Sequence, residues 1–309
     1  MRIDHWEGHT RHDEALSREL VDWADIVFCE WGLGNAVWYS KHVRENQRLV
    51  VRVHLQEVFT PYFSRMQLEN VDKFVYVAPH VRDTAFHFQG VASREASVIP
   101  NIVTVPEKFD RDPQSRFTLG MVGVVPQRKR LDSALDLLVR LRSEDDRYTL
   151  RIKGREPHEY SWMQDRPDEL AYYEEQRRRI DEDPLLTGAV FFDGFSSDRA
   201  ELDAWFERTG IVLSVSDYES FHYTLADGAV RYAVPETLAW AGADALFPHE
   251  WIHADLASMA ADILRLRDVV LWRDRAERAR NYVVEKFESG TVLSALSAAI
   301  TGKVDTARG

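Results

Sequence analysis

Short runs of β-branched and aromatic residues alternate along the chain with longer amphipathic stretches. This alternation is typical of βα units, in which helices connect parallel strands. Four runs predict strands in the first third of the chain, at residues 24–29, 49–53, 74–78 and 97–100. Four more are almost continuously apolar, as buried parallel strands are, and predict strands at residues 117–123, 148–154, 189–193 and 211–215.

A polar, proline-bearing stretch at residues 101–112 separates the two series and predicts a linker. Amphipathic periodicity predicts helices at residues 129–141, 168–183, 198–207, 256–266, 273–287 and 291–300. We expect an α/β chain with an N-terminal Rossmann-like domain, a C-terminal Rossmann-like domain, and a C-terminal helix with a frayed tail, at residues 1–105, 106–290 and 291–309. The first domain opens without a clear strand, so it is either reduced or lacks its first βα unit.

Composition narrows the classes of function. The 309 residues include 39 basic and 51 acidic side chains, a net charge of −12, which argues against a nucleic-acid binder with a broad basic face. A single cysteine, Cys29, excludes an internal disulfide and favours a cytoplasmic location. No run reaches the ~18–20 apolar residues of a membrane span. We expect at most peripheral membrane contact, through basic residues such as Lys41, Arg44, Arg48 and Arg52.

The loop after the run at residues 211–215 places acids beside a predicted helix start. Glu219 lies in the turn, and a helix is expected to begin around Phe221 or His222. Doubly wound sheets bind ligands at the carboxyl ends of their strands, and a helix start attracts anions such as a diphosphate. Asp227 lies at most about 12 Å further along, so the two carboxylates suit hydroxyls at opposite ends of an extended ligand. Alternatively, Glu219 caps the helix and Asp227 is a solvated acid.

Basic residues collect in the loop after the run at residues 117–123. Gly123 permits close backbone approach, and Arg128, Lys129 and Arg130 place cations at the entry to the next predicted helix. Arg155 follows a second strand end in the same way. Phosphate binding explains both loops, and a solvated basic run is the alternative.

Taken in order, these loops resemble the donor-site motifs of glycosyltransferase family 4. Residues 98–103 (VIPNIV) resemble its domain-crossing segment, residues 123–130 (GVVPQRKR) its phosphate-binding loop, and residues 213–222 (LSVSDYESFH) with the following helix its E-x7-E motif. The resemblance covers about residues 22–287. It implies the GT-B fold, with two Rossmann-like parallel-sheet domains facing a cleft and the first domain shortened.

The resemblance implies a metal-independent, retaining glycosyltransferase that moves a sugar from a nucleotide sugar to an acceptor hydroxyl without a protein nucleophile. UDP- or GDP-sugars are the expected donors, and a glycan, a lipid-linked molecule or a small molecule is the expected acceptor. No further cofactor and no nucleic-acid partner is expected. The D-x-D pattern at residues 110–112 is interpreted as a solvated charge pair, so no metal site is predicted.

Carried over by position, Glu219, Lys129 and His54 form the expected catalytic set. Glu219 would contact hydroxyls of the donor sugar, Lys129 would neutralise the diphosphate, and His54 resembles the family's cleft histidine. Asp227 would hold the ribose. The expected donor-binding residues are Gly123, Arg128, Lys129, Arg155, Ser220, Phe221, His222 and Asp227, the backbone N–H groups of Phe221 and His222 meeting the sugar or phosphate.

Three positions depart from the family pattern. The second acid is Asp227 rather than glutamate, Val124 replaces an arginine, and His222 replaces a glycine. Arg128 or Arg155 would have to supply the missing cation. With the short first domain, these departures favour an alternative, a non-catalytic sugar-nucleotide-binding or scaffold protein derived from such an enzyme.

Residues beside other predicted strands also leave interpretations open. Trp31 either stacks on an acceptor sugar or belongs to the core. His54 is alternatively a surface histidine beside Glu57. Trp240 and Gly242 follow a strand-like run and are expected to line the donor pocket.

Overall fold

The computed structural model describes residues 1–92, 94–106 and 111–302. The chain forms two compact units, one made of residues 1–102 with the segment that begins at Ser289, the other of Val103–Glu288. The final helix, which the sequence analysis sets apart at residues 291–309, thus groups with the N-terminal unit. Asp110 of the D-x-D pattern and the tail from residue 303 lie outside the described residues.

The helices and strands alternate along both units. The helices are α1 (Glu14–Trp23), α2 (Gly34–Ser40), α3 (Leu55–Val58), α4 (Pro79–Gln89), α5 (Leu131–Arg142), α6 (Pro167–Glu182), α7 (Arg199–Glu207), α8 (Tyr223–Ala229), α9 (Ala243–Leu246), α10 (Leu256–Arg265), α11 (Val269–Phe287) and α12 (Ser289–Thr301). The strands are β1 (Ile26–Cys29), β2 (Arg48–Val53), β3 (Lys73–Tyr76), β4 (Ala96–Val98), β5 (Thr118–Val122), β6 (Thr149–Lys153), β7 (Val190–Phe192), β8 (Ile211–Ser214), β9 (Val234–Leu238) and β10 (Ile252–His253). Among these helices, none has both the length and the apolar character needed to cross a membrane.

Each predicted strand corresponds to a strand whose ends differ from the prediction by at most two residues. The prediction that all of the second series is buried is wrong for β7. This strand lies at an edge of its sheet, and the ring of Phe191 is 38% exposed. Strand β10 is not predicted, because a strand of two residues has no alternation to detect.

The N-terminal unit is built on a parallel sheet with the strand order β1-β2-β3-β4. The strand order does not reverse within the part of this sheet that the structure describes. Helix α12 packs on the sheet through an apolar stripe of Val292, Leu296 and Ala299, which contacts buried residues such as Val50. The Arg48 side chain donates to the carbonyl of Ile300 at 3.1 Å. These contacts explain why α12 groups with the N-terminal unit.

The second unit contains a parallel sheet with the order β10-β9-β8-β5-β6-β7. The chain runs outward from β5 to β7, then returns to β8 on the other side of β5 and continues to β10. Strands β5 and β8 are hydrogen-bonded neighbours, with Leu119 opposite Ile211. The order therefore reverses between them, and in open α/β sheets the loops at such a switch point form the ligand crevice.

Candidate functional site

The loop after β5 turns sharply at a glycine. Gly123 has φ +72° and donates its N–H to the carbonyl of Lys153 at 2.8 Å. A Cβ at Gly154 would lie 3.3 Å from the Cα of Gly123, so the loops after β5 and β6 approach closely. The predicted helix begins two residues later than expected, at Leu131, because a 3-10 turn spans Gln127–Lys129 and Arg130, at φ +56°, separates this turn from α5. Lys129 thus lies in a turn at the strand end.

The loop after β8 is attached to this turn. The Asp217 N–H donates to the carbonyl of Arg128 at 2.9 Å. Helix α8 begins at Tyr223, later than the sequence analysis expects, and His222 precedes it at φ +65°. Only glycine adopts this left-handed conformation at little cost, which gives a backbone reason for a glycine at this position in the family pattern.

The two loops bring a carboxylate and two cations together. Oε1 of Glu219 lies 2.5 Å from Nζ of Lys129 and 3.3 Å from Nη1 of Arg128. The His222 Nε2 is 3.7 Å from the same oxygen. Glu219 is only 8% exposed, so water screens these interactions weakly. Arg130 is directed elsewhere, to carboxylates at 2.9 and 3.0 Å.

The pKa values of the cluster follow from its burial and charge. Burial alone raises the pKa of Glu219, but its three basic neighbours outweigh burial and lower the pKa to about 2. Burial, with help from Lys129 and Arg128, lowers the pKa of His222 to about 4 against the attraction of Glu219. His222 is therefore neutral at pH 7. At that pH the single negative charge of Glu219 faces the two positive charges of Lys129 and Arg128.

Asp227 belongs to a different ion-pair network. Its carboxylate lies 3.4 Å from Nη1 of Arg231, a fully buried side chain whose Nη2 is 2.6 Å from Asp203. Burial raises the pKa of Asp227, and Arg231 and Arg199 oppose this effect. The sequence predicts that Asp227 and Glu219 bind opposite ends of one ligand. In the structure they lie in adjoining segments, and their carboxylates contact different basic residues.

Other predicted donor-site residues have defined but separate surroundings. The exposed Arg155 guanidinium lies 4.7 Å from the ring centre of Phe195, in the segment that follows β7. Val124, where the family pattern has an arginine, is a buried core residue. The Phe221 ring is buried 5.0 Å from that of Phe287. Ser220, next to it in the loop, is half-buried.

In the N-terminal unit, His54 follows β2 and is held on two sides. Its ring stacks on Trp31, with centroids 3.9 Å apart, and its Nδ1 lies 3.3 Å from Oε1 of Glu57. The same oxygen accepts the N–H groups of His54 at 3.1 Å and Gly32 at 3.3 Å. Glu57 is fully buried and Trp31 is 41% exposed. Trp31 is therefore not a core residue, and His54, which is only 7% exposed, is not a surface residue.

A cluster of polar side chains near the β10 edge of the second sheet is not predicted from the sequence. Glu236, His253 and Asp262 offer ligand atoms within 4.8 Å of one another. Arg275 donates to both carboxylates, at 3.3 and 3.0 Å, which explains their proximity without a metal ion. A cavity of about 530 Å³ adjoins this group. Glu236 lies on β9, His253 on the neighbouring β10 and Asp262 on α10, so tertiary packing that the sequence does not reveal brings them together.

No protein-family model and no curated protein sequence matches this chain. Solved structures do match it. HepE from Anabaena, described in complex with UDP-glucose, aligns with a TM-score of 0.73 and 14% identity over 93% of this chain and 81% of its own. Sucrose-phosphate synthase from Thermosynechococcus elongatus aligns with a TM-score of 0.69 and 16% identity over 94% and 77%. The chain has the GT-B fold. It spans 59% of S. aureus TarM, which aligns with a TM-score of 0.70 and 15% identity over 94% of this chain.

Within this GT-B fold the predicted site residues divide into groups. The loops after β5 and β8 bring together Arg128, Lys129, Glu219 and His222. Asp227 lies in the Arg231 network. Trp240 is buried and Gly242 caps α9 at φ +93°, after β9. The structure therefore concentrates charge at the switch point of the second unit.

Proposed function

We propose that this GT-B chain transfers a sugar from a nucleotide-sugar donor to an acceptor hydroxyl. The observation that carries the proposal is the convergence of Lys129, Arg128 and Glu219 at the switch point between β5 and β8. Open α/β sheets bind their ligands at such points. The resemblance to glycosyltransferase family 4 supports the same assignment.

The cluster has the chemistry that a sugar diphosphate requires. Lys129 and Arg128 are donors without acceptor capacity, as phosphate oxygens need. Glu219 stays ionised at neutral pH because of its depressed pKa, and a carboxylate accepts hydrogen bonds from sugar hydroxyls. Backbone N–H groups of Phe221 and His222, with Ser220 beside them, complete the proposed donor site.

The proposed reaction is retaining and needs no metal ion. Cations fixed beside the diphosphate stabilise the charge that develops on it as the sugar–phosphate bond breaks. The acceptor hydroxyl then attacks on the same face, and its proton passes to the departing diphosphate oxygen. We propose UDP- or GDP-sugars as donors, with His54 of the N-terminal unit as a further catalytic residue. The complex of HepE with UDP-glucose favours the UDP-sugar.

A second candidate function is donor binding without transfer. It is favoured by Val124, a buried apolar residue where the family pattern has an arginine, because the site then lacks one cation that would stabilise the departing diphosphate. Arg155, proposed here as an additional phosphate cation, contacts Phe195.

Calorimetry with UDP-, GDP-, ADP- and dTDP-sugars, followed by transfer and donor-hydrolysis assays, tests the proposal. Lys129→Met should reduce turnover on the order of 10²–10³-fold, the usual cost of removing a group that stabilises developing charge. Arg130→Met is the control, because Arg130 contacts Asp132 and Asp217. Binding without turnover indicates the second candidate, and no binding of any nucleotide sugar contradicts both.

A further inference from the structure

We propose that Glu219 makes the donor site select an intact nucleotide sugar over a bare diphosphate, an inference that rests on the proposed function. Glu219 would then be a specificity-determining residue as well as a ligand of the sugar. The direction of this effect is unusual, because removing a residue of the site should strengthen the binding of one ligand.

The two cations of the cluster already contact Glu219. Lys129 and Arg128 are the groups that would bind a diphosphate, and both contact Oε1 of Glu219, at 2.5 and 3.3 Å. A diphosphate that reaches them must displace the carboxylate or share its donors. Either way a second anion enters a region where Glu219 is only 8% exposed, and like charges repel strongly where water is scarce.

Whether the ligand carries a sugar determines whether this free-energy cost of placing a second anion beside Glu219 is offset. Hydroxyl groups donate to a carboxylate, so a sugar beside Glu219 replaces the donors that the carboxylate gives up. A bare diphosphate has acceptor oxygens and negative charge but no such donors. It therefore leaves Glu219 as a buried carboxylate with weakened pairing, which is costly. The intact donor is retained, and the nucleoside diphosphate product is released.

Inorganic pyrophosphate is a suitable first probe, because it carries the diphosphate without base, ribose or sugar. Its dissociation constant is measured by calorimetry for the wild type and Glu219→Gln, which keeps the shape and removes the charge. Asp217→Asn is the matched control, since Asp217 lies two residues before Glu219 in the sequence and contacts Arg130. We expect Glu219→Gln to bind pyrophosphate at least about tenfold more tightly and the control to bind like the wild type.

UDP and GDP, with their sugars, provide the second comparison. The preference of the wild type for the sugar-bearing form over the diphosphate should fall in Glu219→Gln. Circular dichroism and melting establish that each variant is folded, and Glu219→Ala replaces the glutamine variant if that fails to fold.

The outcomes separate the two proposals. Pyrophosphate or UDP binding that is unchanged or weaker in the folded Glu219 variants overturns the selectivity, whatever the transfer assay shows. An equal gain in Asp217→Asn also overturns it, because a general loss of negative charge then explains the result. Tighter pyrophosphate binding by a protein that binds no nucleotide sugar supports the exclusion of diphosphate by Glu219 and contradicts the proposed function.

Discussion

The Nζ of Lys129 lies 2.5 Å from Oε1 of Glu219, although 90 residues separate them in the sequence. They meet because β5 and β8 are neighbours at the point where the strand order reverses. Each residue lies in the loop at the carboxyl end of its strand. The strand order of the second unit, more than any local motif, creates this ion pair.

The ion pair should make stability depend on acidity. The pKa of Glu219 is about 2 in the folded chain and near 4.3 in an unfolded one. The contribution is therefore fully present above about pH 4.5 and lost as pH falls toward 2, and it amounts to about 3 kcal/mol. We expect urea denaturation between pH 6 and 3 to show a smaller loss of stability in Glu219→Gln than in the wild type.

Lys129→Met provides the companion measurement, because it removes one cause of the depressed pKa and leaves the carboxylate. Its loss of stability between pH 6 and 3 should lie between those of the wild type and Glu219→Gln. If all three proteins lose the same free energy, Glu219 and Lys129 are not coupled in solution.

Glu236 should produce the opposite pH dependence. Burial raises its pKa to about 7, against the attraction of His253 and Arg275. A raised pKa gives stability that is present below about pH 4.5 and lost as pH rises toward 7. Glu236→Gln keeps the shape of the side chain and removes this titration. We expect the variant to gain stability relative to the wild type, by about 2 kcal/mol, on going from pH 5 to pH 8 in chemical denaturation.

The control for Glu236 is Glu250→Gln, which removes an exposed carboxylate beside the same cavity. It should follow the wild type across this pH range. If the difference in stability between the wild type and Glu236→Gln does not change between pH 5 and pH 8, the buried carboxyl does not titrate in this range.

Glu57 should matter to the N-terminal unit through its hydrogen bonds. Its Oε1 accepts the backbone N–H groups of Gly32 and His54 and contacts the His54 ring. Glu57→Ala leaves these buried donors without an acceptor, so we expect a loss of about 2–4 kcal/mol in urea denaturation. Glu57→Gln keeps an acceptor oxygen and should retain most of the stability. If both variants lose the same stability, the negative charge of Glu57, and not its acceptor oxygen alone, accounts for the loss.

The sequence predicts the sheets well because buried parallel strands are recognisable as apolar runs. Loops at the ends of such strands are natural sites, so Lys129 and Glu219 could be selected without knowing that they touch. The partner of Asp227 was harder to predict. Arg231 lies four residues further on, a spacing that allows an ion pair on one helix, but its complete burial depends on packing against α7 that no local pattern shows. The αL conformation of Arg130, which delays α5, also has no local signal.

Helix α8 should tolerate no side chain at Gly228, which follows Asp227. A Cβ there would lie 2.4 Å from Cγ1 of Val212 on β8, closer than real atoms approach. Gly228→Ala should therefore push α8 away from the sheet and cost about 1–3 kcal/mol, with weaker donor binding because the loop of Glu219 precedes this helix. Val212→Ala removes the obstructing methyl groups, so the double variant should be more stable than the sum of the single losses predicts. Urea denaturation of the four proteins measures this coupling, and strictly additive losses would show that the helix does not pack on β8 through Gly228.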